Sequence, residues 1–353
     1  MKEIKTFNYI PASIVPKNNE FNWWGGNNNF KYNYILINAF HYLNTKFPFD
    51  FPKDMVIIGD SGGFQNMTQG AEMDVLKVLR WQEKYCTIGM TFDKPILLSD
   101  NENIRKLKQY DTTINAYKAL DNRKNNNLKL YAVFHGHNYI ELQNQLNIYK
   151  EKGDLNKFDG FAIGGIVPLA SNPEQITLIS LIFIDLIKSY KKPLHFFGTG
   201  GGGYGIIYNL LKEIHTNNIT ADSIYFANNG LYMQMLEGNS LKNIKVDSKN
   251  LNSKWCNCDI CKNYSLDDIK NKEGPSIIIL HNLYHIVKHN ENLKNIDENI
   301  LYEYCKIYYP KFLISLDIIN YYKKYGLNDT LIKYQNFKLN PSLNKKSKSL
   351  NYY

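Results

Sequence analysis

The sequence predicts an α/β barrel with a zinc-binding appendage, on three observations. Short apolar runs alternate with amphipathic stretches of helical length along most of the 353 residues, the signature of repeated βα units. Most of those runs end in glycine or a polar side chain, as Met55-Val56-Ile57-Ile58-Gly59 does on reaching Asp60-Ser61-Gly62-Gly63-Phe64-Gln65. Three of the five cysteines fall within six residues, Cys256-Asn257-Cys258-Asp259-Ile260-Cys261.

Taken in chain order, residues 34–39, 55–59, 87–92, 128–134, 160–163, 194–198 and 224–227 read as strands. Each is short, apolar and bounded by turn residues. Residues 73–85, 103–120, 139–151, 173–190 and 208–216 carry apolar side chains at helical spacing and have the length a crossover connection needs. Seven units are visible, one short of a closed barrel. The eighth strand is expected either near the polar N-terminus or at residues 244–247. The expected division is a catalytic barrel over 1–250, a zinc-binding subdomain with closing helices over 251–335, and a basic, flexible tail over 336–353.

A chain of this length with 44% hydrophobic content can bury one large core. It shows no N-terminal apolar signal segment, and its longest apolar stretch, residues 176–187, contains Asp185 and falls short of the roughly eighteen residues that span a bilayer. A cytoplasmic protein without membrane contact is expected, or one of a host's cytoplasm if the gene is a phage's. An odd number of cysteines with ligand-like spacing argues against a disulfide framework. The formal charge of +9 and a pI near 9.0 favour a polyanionic partner. Only Arg80, Arg105 and Arg123 are arginines, and the Lys, Asn, Ile and Tyr bias suits an AT-rich genome. Lys242, Lys245, Lys249, Lys254, Lys262, Lys270 and Lys272 surround the cysteines, while Lys345, Lys346 and Lys348 mark the tail.

The polar strand ends should converge on one mouth, because a barrel gathers its chemistry at the C-terminal ends of its strands. Asp60 and Asp222, the latter opening Asp222-Ser223-Ile224-Tyr225, place two carboxylates there. Such a pair permits double displacement at an anomeric carbon, one attacking C1′ and the other handling the leaving group's proton. Either alone reads equally as a helix cap or an ion-pair member. Phe64 and Phe197 can sandwich a planar ring or fill the barrel core. The thiolates Cys256, Cys258 and Cys261 with one imidazole complete a closed tetrahedral set for structural Zn²⁺. His281 and His285 lie four apart on one helical face, so spacing leaves the fourth ligand open between them.

Together these residues resemble the tRNA-guanine transglycosylase family, and its archaeal-type and phage-type members more than the bacterial queuine enzyme. The resemblance spans roughly residues 34–283. It rests on Asn33-Tyr34-Ile35-Leu36-Ile37-Asn38-Ala39-Phe40-His41, the Asp60 to Gln65 run, Asp93-Lys94-Pro95, Gly160-Phe161-Ala162-Ile163-Gly164-Gly165, Phe197-Gly198-Thr199-Gly200, Asp222-Ser223, the cysteine run and His281-Asn282-Leu283. It implies a TIM-type (β/α)8 barrel with an inserted zinc-binding subdomain, and His281 as the fourth ligand. By the same resemblance Asp222 is the nucleophile and Asp60 the general acid/base. Ser61, Asp93, Gly164 and Gly165 would bind the base edge, with Phe64 stacked on it and Phe197 opposite. A target base must leave its stack to reach such a pocket.

Two departures bear on the substrate. Val133-Phe134-His135-Gly136-His137 stands where tRNA-modifying members carry a Val-Gln-Gly-Gly-like segment, putting the His135 imidazole among the base contacts. The chain is also short beside archaeal tRNA enzymes with appended RNA-binding domains. These features resemble DNA-guanine transglycosylases of phages and bacterial modification clusters. The expectation is therefore replacement of guanine in DNA by a 7-deazaguanine such as preQ0. The alternative is the same chemistry on tRNA, and a non-catalytic partner subunit stands third. The resemblance also offers a homodimer through the zinc lobe.

Overall fold

Eight parallel strands make the barrel of the computed structural model: β1 (Phe7–Pro11), β2 (Tyr34–Asn38), β3 (Val56–Asp60), β4 (Ile88–Met90), β5 (Lys129–His135), β6 (Gly160–Gly164), β7 (Leu194–Phe196) and β8 (Ile219–Ser223). The structure describes residues 7–12, 21–25, 30–44, 47, 50–70, 73–215, 217–238, 240–246, 256–294 and 296–334. The strands are ordered β1-β8-β7-β6-β5-β4-β3-β2, and a parallel bridge between Ala12 and Leu36 draws the two edges together. The architecture is thus the expected TIM-type barrel.

The eighth strand is the N-terminal one. Residues 243–245 instead form β10 (Asn243–Lys245), which pairs antiparallel with β9 (Gln234–Leu236) outside the barrel. A second correction concerns residues 224–227, expected as a strand. They lie at the start of a helix, Tyr225–Leu231, and the true strand is β8, immediately before it. Apolar content misplaced this strand, because its inward positions Thr220 and Asp222 are polar. Asp222 consequently sits near the C-terminal end of a barrel strand rather than opening one.

Around the barrel run α1 (Gly63–Gln69), α2 (Val75–Tyr85), α3 (Glu102–Asn122), α4 (Tyr139–Lys152), α5 (Pro173–Ile187), α6 (Tyr204–Ile214) and α7 (Tyr225–Leu231). Side chains of Asp74, Asn101, Asn138 and Asn172 accept from the first free amides of α2, α3, α4 and α5, satisfying donors a helix start leaves unpaired. Then follow α8 (Leu266–Lys270), α9 (Gly274–Leu293), α10 (Glu298–Tyr308) and α11 (Leu313–Lys333). The apolar α5 packs against α11, where Tyr322 Oη donates to Asp185 Oδ1 at 2.8 Å. Among the described residues no helix is long and apolar enough to cross a membrane. The basic tail of 336–353 lies outside the described residues.

Two apolar layers hold the barrel. The outer core packs helices against outward-facing strand residues such as Ile35, Ile57, Leu130 and Phe161. The inner core is small: Ile10, Leu36, Ile58, Met90, Tyr131, Val133 and Ala162. Successive strand side chains point to opposite faces, so the residues two beyond Ile10, Leu36, Ile58, Val133 and Ala162 face the same lumen, one layer nearer the C-terminal mouth. Those residues are Ala12, Asn38, Asp60, His135 and Gly164. The alternation that buries Ile58 is what delivers Asp60 to the mouth.

Candidate active site and metal centre

Asp60 closes β3 beside Asn38, its register partner on β2. Asn38 Nδ2 donates to Asp60 Oδ2 at 2.6 Å and to Gln65 Oε1 at 2.8 Å, while Asn38 Oδ1 accepts from Phe40 N at 2.9 Å. Every polar atom of Asn38's amide is thereby committed to holding the carboxyl and the start of α1. Burial, followed by the nearby charges of Asp93 and Asp222, raises the Asp60 carboxyl from 3.8 to about 7, and the backbone amides of Gly62 and Ser61 only partly oppose this. The two glycines after Ser61 are steric requirements. Gly62 has φ +80°, and a Cβ on Gly63 would lie 2.4 Å from the Asp93 carbonyl oxygen and 2.5 Å from its carboxylate.

Asp93 follows β4 after the alternation slips, since Phe92 joins the outer core while Asp93 reaches its neighbours in the lumen. Ser61 Oγ donates to Asp93 Oδ1 at 2.5 Å, and His135 Nε2 contacts Oδ2 at 2.7 Å. His135 is buried, and among the described residues its Nδ1 has no hydrogen-bond partner. Opposite it in register is Gly164, where a Cβ would sit 2.7 Å from the His135 ring. Gly165, at φ +74°, turns the chain away. Its carbonyl accepts from His137 Nε2 at 2.8 Å, and Arg105 Nη1 donates to His137 Nδ1 at 3.1 Å. Burial also pushes the His137 imidazole below its usual range, in keeping with a neutral ring donating through Nε2. Ser61, Asp93, His135, Gly164 and Gly165 are thus brought together as one wall.

Asp222 stands on β8, buried. Its Oδ1 accepts from Gly198 N at 2.8 Å and lies 3.1 Å from His195 Nε2. His195, on β7, escaped the sequence reading. The available signal was that it lies two before Phe197 and directly opposite Thr220, hence on the lumen side. Phe197 is partly buried against the inner core, and its ring meets His195 edge-on at 4.7 Å. Phe64, 43% exposed on α1, is free to cover a ligand. A mouth bearing three carboxylates, two of them each beside a buried imidazole, and an exposed ring can hold a planar polar ligand and place a carboxylate against it for nucleophilic attack.

The metal centre lies beyond β8. Ligand atoms of Cys256, Cys258, Cys261 and His281 lie within 4.8 Å of one another. Cys261 Sγ is 3.0 Å and Cys258 Sγ 3.5 Å from His281 Nδ1, and the two sulfurs are 3.3 Å apart. These separations are close to the edges of a tetrahedron with bonds of about 2.0–2.3 Å, and three thiolates plus an imidazole could bind zinc. Of the three sulfurs His285 contacts Cys256, at 3.6 Å, and the four-ligand cluster uses His281. The other nitrogen of His281, Nε2, contacts the Leu236 carbonyl at 3.0 Å, which leaves Nδ1 as the ligand atom. Burial holds this imidazole below its usual range, favouring the neutral, ligating form. Asn282 explains its place in the motif: it donates to the carbonyls of Phe226 and Gln234 and accepts from Leu236 N. It clips the metal lobe to α7 and β9. Lys242, Lys245, Lys262, Lys270 and Lys272 around the cluster are exposed, whereas Lys249 and Lys254 lie outside the described residues.

Cys258→Ala is expected to release about one equivalent of zinc per chain and lower the melting temperature, because a closed site contributes its binding energy to folding. Elemental analysis with calorimetry checks both. Wild-type protein that purifies without zinc would overturn the assignment.

The model of the family "Queuine tRNA-ribosyltransferase" matches residues 49–312, from ahead of β3 to the start of α11. The "tRNA-guanine(15) transglycosylase" of Methanococcus maripaludis is 26% identical over 285 residues, covering 76% of this chain and 42% of that protein. One of the same name from Methanobrevibacter smithii is 26% identical over 243 residues, 65% of this chain and 34% of its own length. The "Queuine tRNA-ribosyltransferase" of Lachnoclostridium phytofermentans is 24% identical over 287 residues, 70% of this chain and 73% of that protein. The chain therefore spans less than half the length of its archaeal relatives. Since the family model covers every barrel strand from β3 to β8 and the whole metal centre, the chain belongs to the queuine tRNA-ribosyltransferase family.

Proposed function

We propose that this chain exchanges guanine in a nucleic acid for a guanine-like base through a covalent glycosyl–Asp222 intermediate. The observation that carries the reading is the convergence of Asp60, Asp93 and Asp222 on one mouth, with Asp60 raised to about 7. Asp222 attacks C1′ as the bond to the base nitrogen breaks. Asp60, poised near neutral pH, protonates the departing base and deprotonates the incoming one. Asp93 keeps lone pairs for the N–H groups of a guanine edge, since Ser61 and His135 each use one side of its oxygens. Gly164 and Gly165 supply backbone groups, Phe64 stacks on the base and Phe197 bounds it opposite. Zinc is structural in this scheme, and the exposed lysines beside it suit a phosphate backbone.

For the nucleic acid, the relatives' names favour tRNA over the DNA expected from the sequence. His135 was the residue-level reason for DNA. Its bond to Asp93 makes it a support for the base-binding carboxylate, a role that does not discriminate between nucleic acids. A 7-deazaguanine such as preQ0 is the incoming base we favour. The deciding assay supplies labelled guanine or preQ0 with unmodified tRNA, duplex DNA and single-stranded DNA. Label in tRNA supports the proposal; label confined to DNA reverses the substrate, and label in none, with zinc bound, removes the activity and leaves a partner subunit.

A further inference from the structure

The inference concerns His195 and rests on the reading of Asp222 as nucleophile. Both observed hydrogen-bond contacts to the Asp222 carboxyl group fall on one oxygen: Gly198 N and His195 Nε2 reach Oδ1 at 2.8 and 3.1 Å. Among the described residues no hydrogen bond reaches Oδ2. The imidazole itself is fixed. Thr220 Oγ1 lies 2.9 Å from His195 Nδ1 and 3.0 Å from the Leu194 carbonyl, which ties the far side of the ring to β7 and β8. Nε2 faces Oδ1 at 3.1 Å, and a ring carrying its proton on Nε2 donates to the Asp222 carboxylate. His195 is 0% exposed, flanked in register by Ala162 and Thr220 and capped by the Phe197 ring. Asp222 is therefore the ionisable group this ring is built to meet.

We propose that His195 is a positioning residue that, with the Gly198 amide, holds Oδ1 and leaves Oδ2 as the attacking oxygen. A lone pair on Oδ2 forms the bond to C1′ while the C1′–N pair leaves with the base, which takes its proton from Asp60. Oδ1 becomes the carbonyl oxygen of the glycosyl ester and keeps both donors. In the return step the incoming base loses a proton to Asp60 and attacks C1′, and the C1′–Oδ2 pair returns to the carboxylate. Donors already aimed at Oδ1 resist rotation of the free carboxylate and stabilise it again as it leaves.

The test compares His195→Phe, His195→Gln and Thr220→Val in the full-length chain, measuring exchange kinetics and the covalent protein–nucleic acid adduct on denaturing gels. His195→Phe is expected to lower kcat about 10²-fold, the usual effect of losing one preorganised donor, with KM for guanine within about twofold. His195→Gln, whose amide nitrogen can take the place of Nε2, should recover kcat to within about tenfold of wild type, and Thr220→Val should fall between the two. Wild-type kcat in His195→Phe overturns the inference, as does a Gln variant no better than Phe at unchanged melting temperature and zinc content. Failure of the underlying reading has a separate signature: no adduct in wild type, or exchange surviving in Asp222→Asn.

Discussion

Asp222→Ala is expected to abolish base exchange, lowering kcat at least about 10⁴-fold, because removal of a covalent nucleophile leaves only binding and the remaining polar groups. No adduct should appear on a denaturing gel at any pH. The substitution also has a structural cost, since it leaves His195 Nε2 and the Gly198 amide facing a void where Oδ1 had been. Unpaired buried groups of this kind cost roughly 1–3 kcal/mol. Asp222→Asn separates the two effects. Its side-chain oxygen can still accept from Gly198 while its nitrogen cannot form a glycosyl ester, so it should be as inactive as the alanine variant and several degrees more stable. Exchange persisting in Asp222→Asn would move the nucleophile elsewhere, and equal melting temperatures would show that the Oδ1 contacts contribute little to folding.

The corrected position of Asp222 shows where the sequence is legible and where it is not. Strands whose inward positions are apolar stand out: Leu36, Ile58 and Val133 announce β2, β3 and β5. The Asp60 turn and the cysteine run also stand out, because glycine conformations and thiolate spacing leave local signatures. β1 and β8 do not. In β1 the inward positions are Asn8 and Ile10, and in β8 they are Thr220 and Asp222, so alternation fades where the barrel replaces packing with polar chemistry. For this reason the apolar pattern points to residues 224–227, just after β8, rather than to β8 itself. His195 was missed because a lone histidine in an apolar run looks like core. Only the register of β7 against β8 shows it meeting Asp222. His135 ends β5, and its hydrogen bond to Asp93 is a long-range contact that no local pattern encodes.

Asp60→Asn joins activity and stability in opposite directions. Burial and the charges of Asp93 and Asp222 raise the folded carboxyl from 3.8 to about 7. Between those pH values the folded chain binds more protons at this site than the unfolded chain, so this site's contribution to stability falls as pH rises through the window. Below 3.8 both states are protonated and that contribution is complete; above about 7 it has been lost. Asparagine cannot ionise, and its side-chain oxygen can still accept from Asn38. The variant should therefore differ little from wild type near pH 4 and melt higher at pH 8, by an amount equivalent to about 1–2 kcal/mol once the weaker pairing with the Ser61 and Gly62 amides is deducted. Over the same range exchange should fall about 10²–10⁴-fold, the contribution typical of a general acid/base, and the wild-type rate limb near pH 7 should vanish. Calorimetry at the two pH values and a pH–rate profile check both halves. A variant destabilised at pH 8 would mean that Asp60 is ionised at little cost in the folded mouth. That would remove the physical reason for assigning it the proton-transfer role, whatever the activity measurement showed.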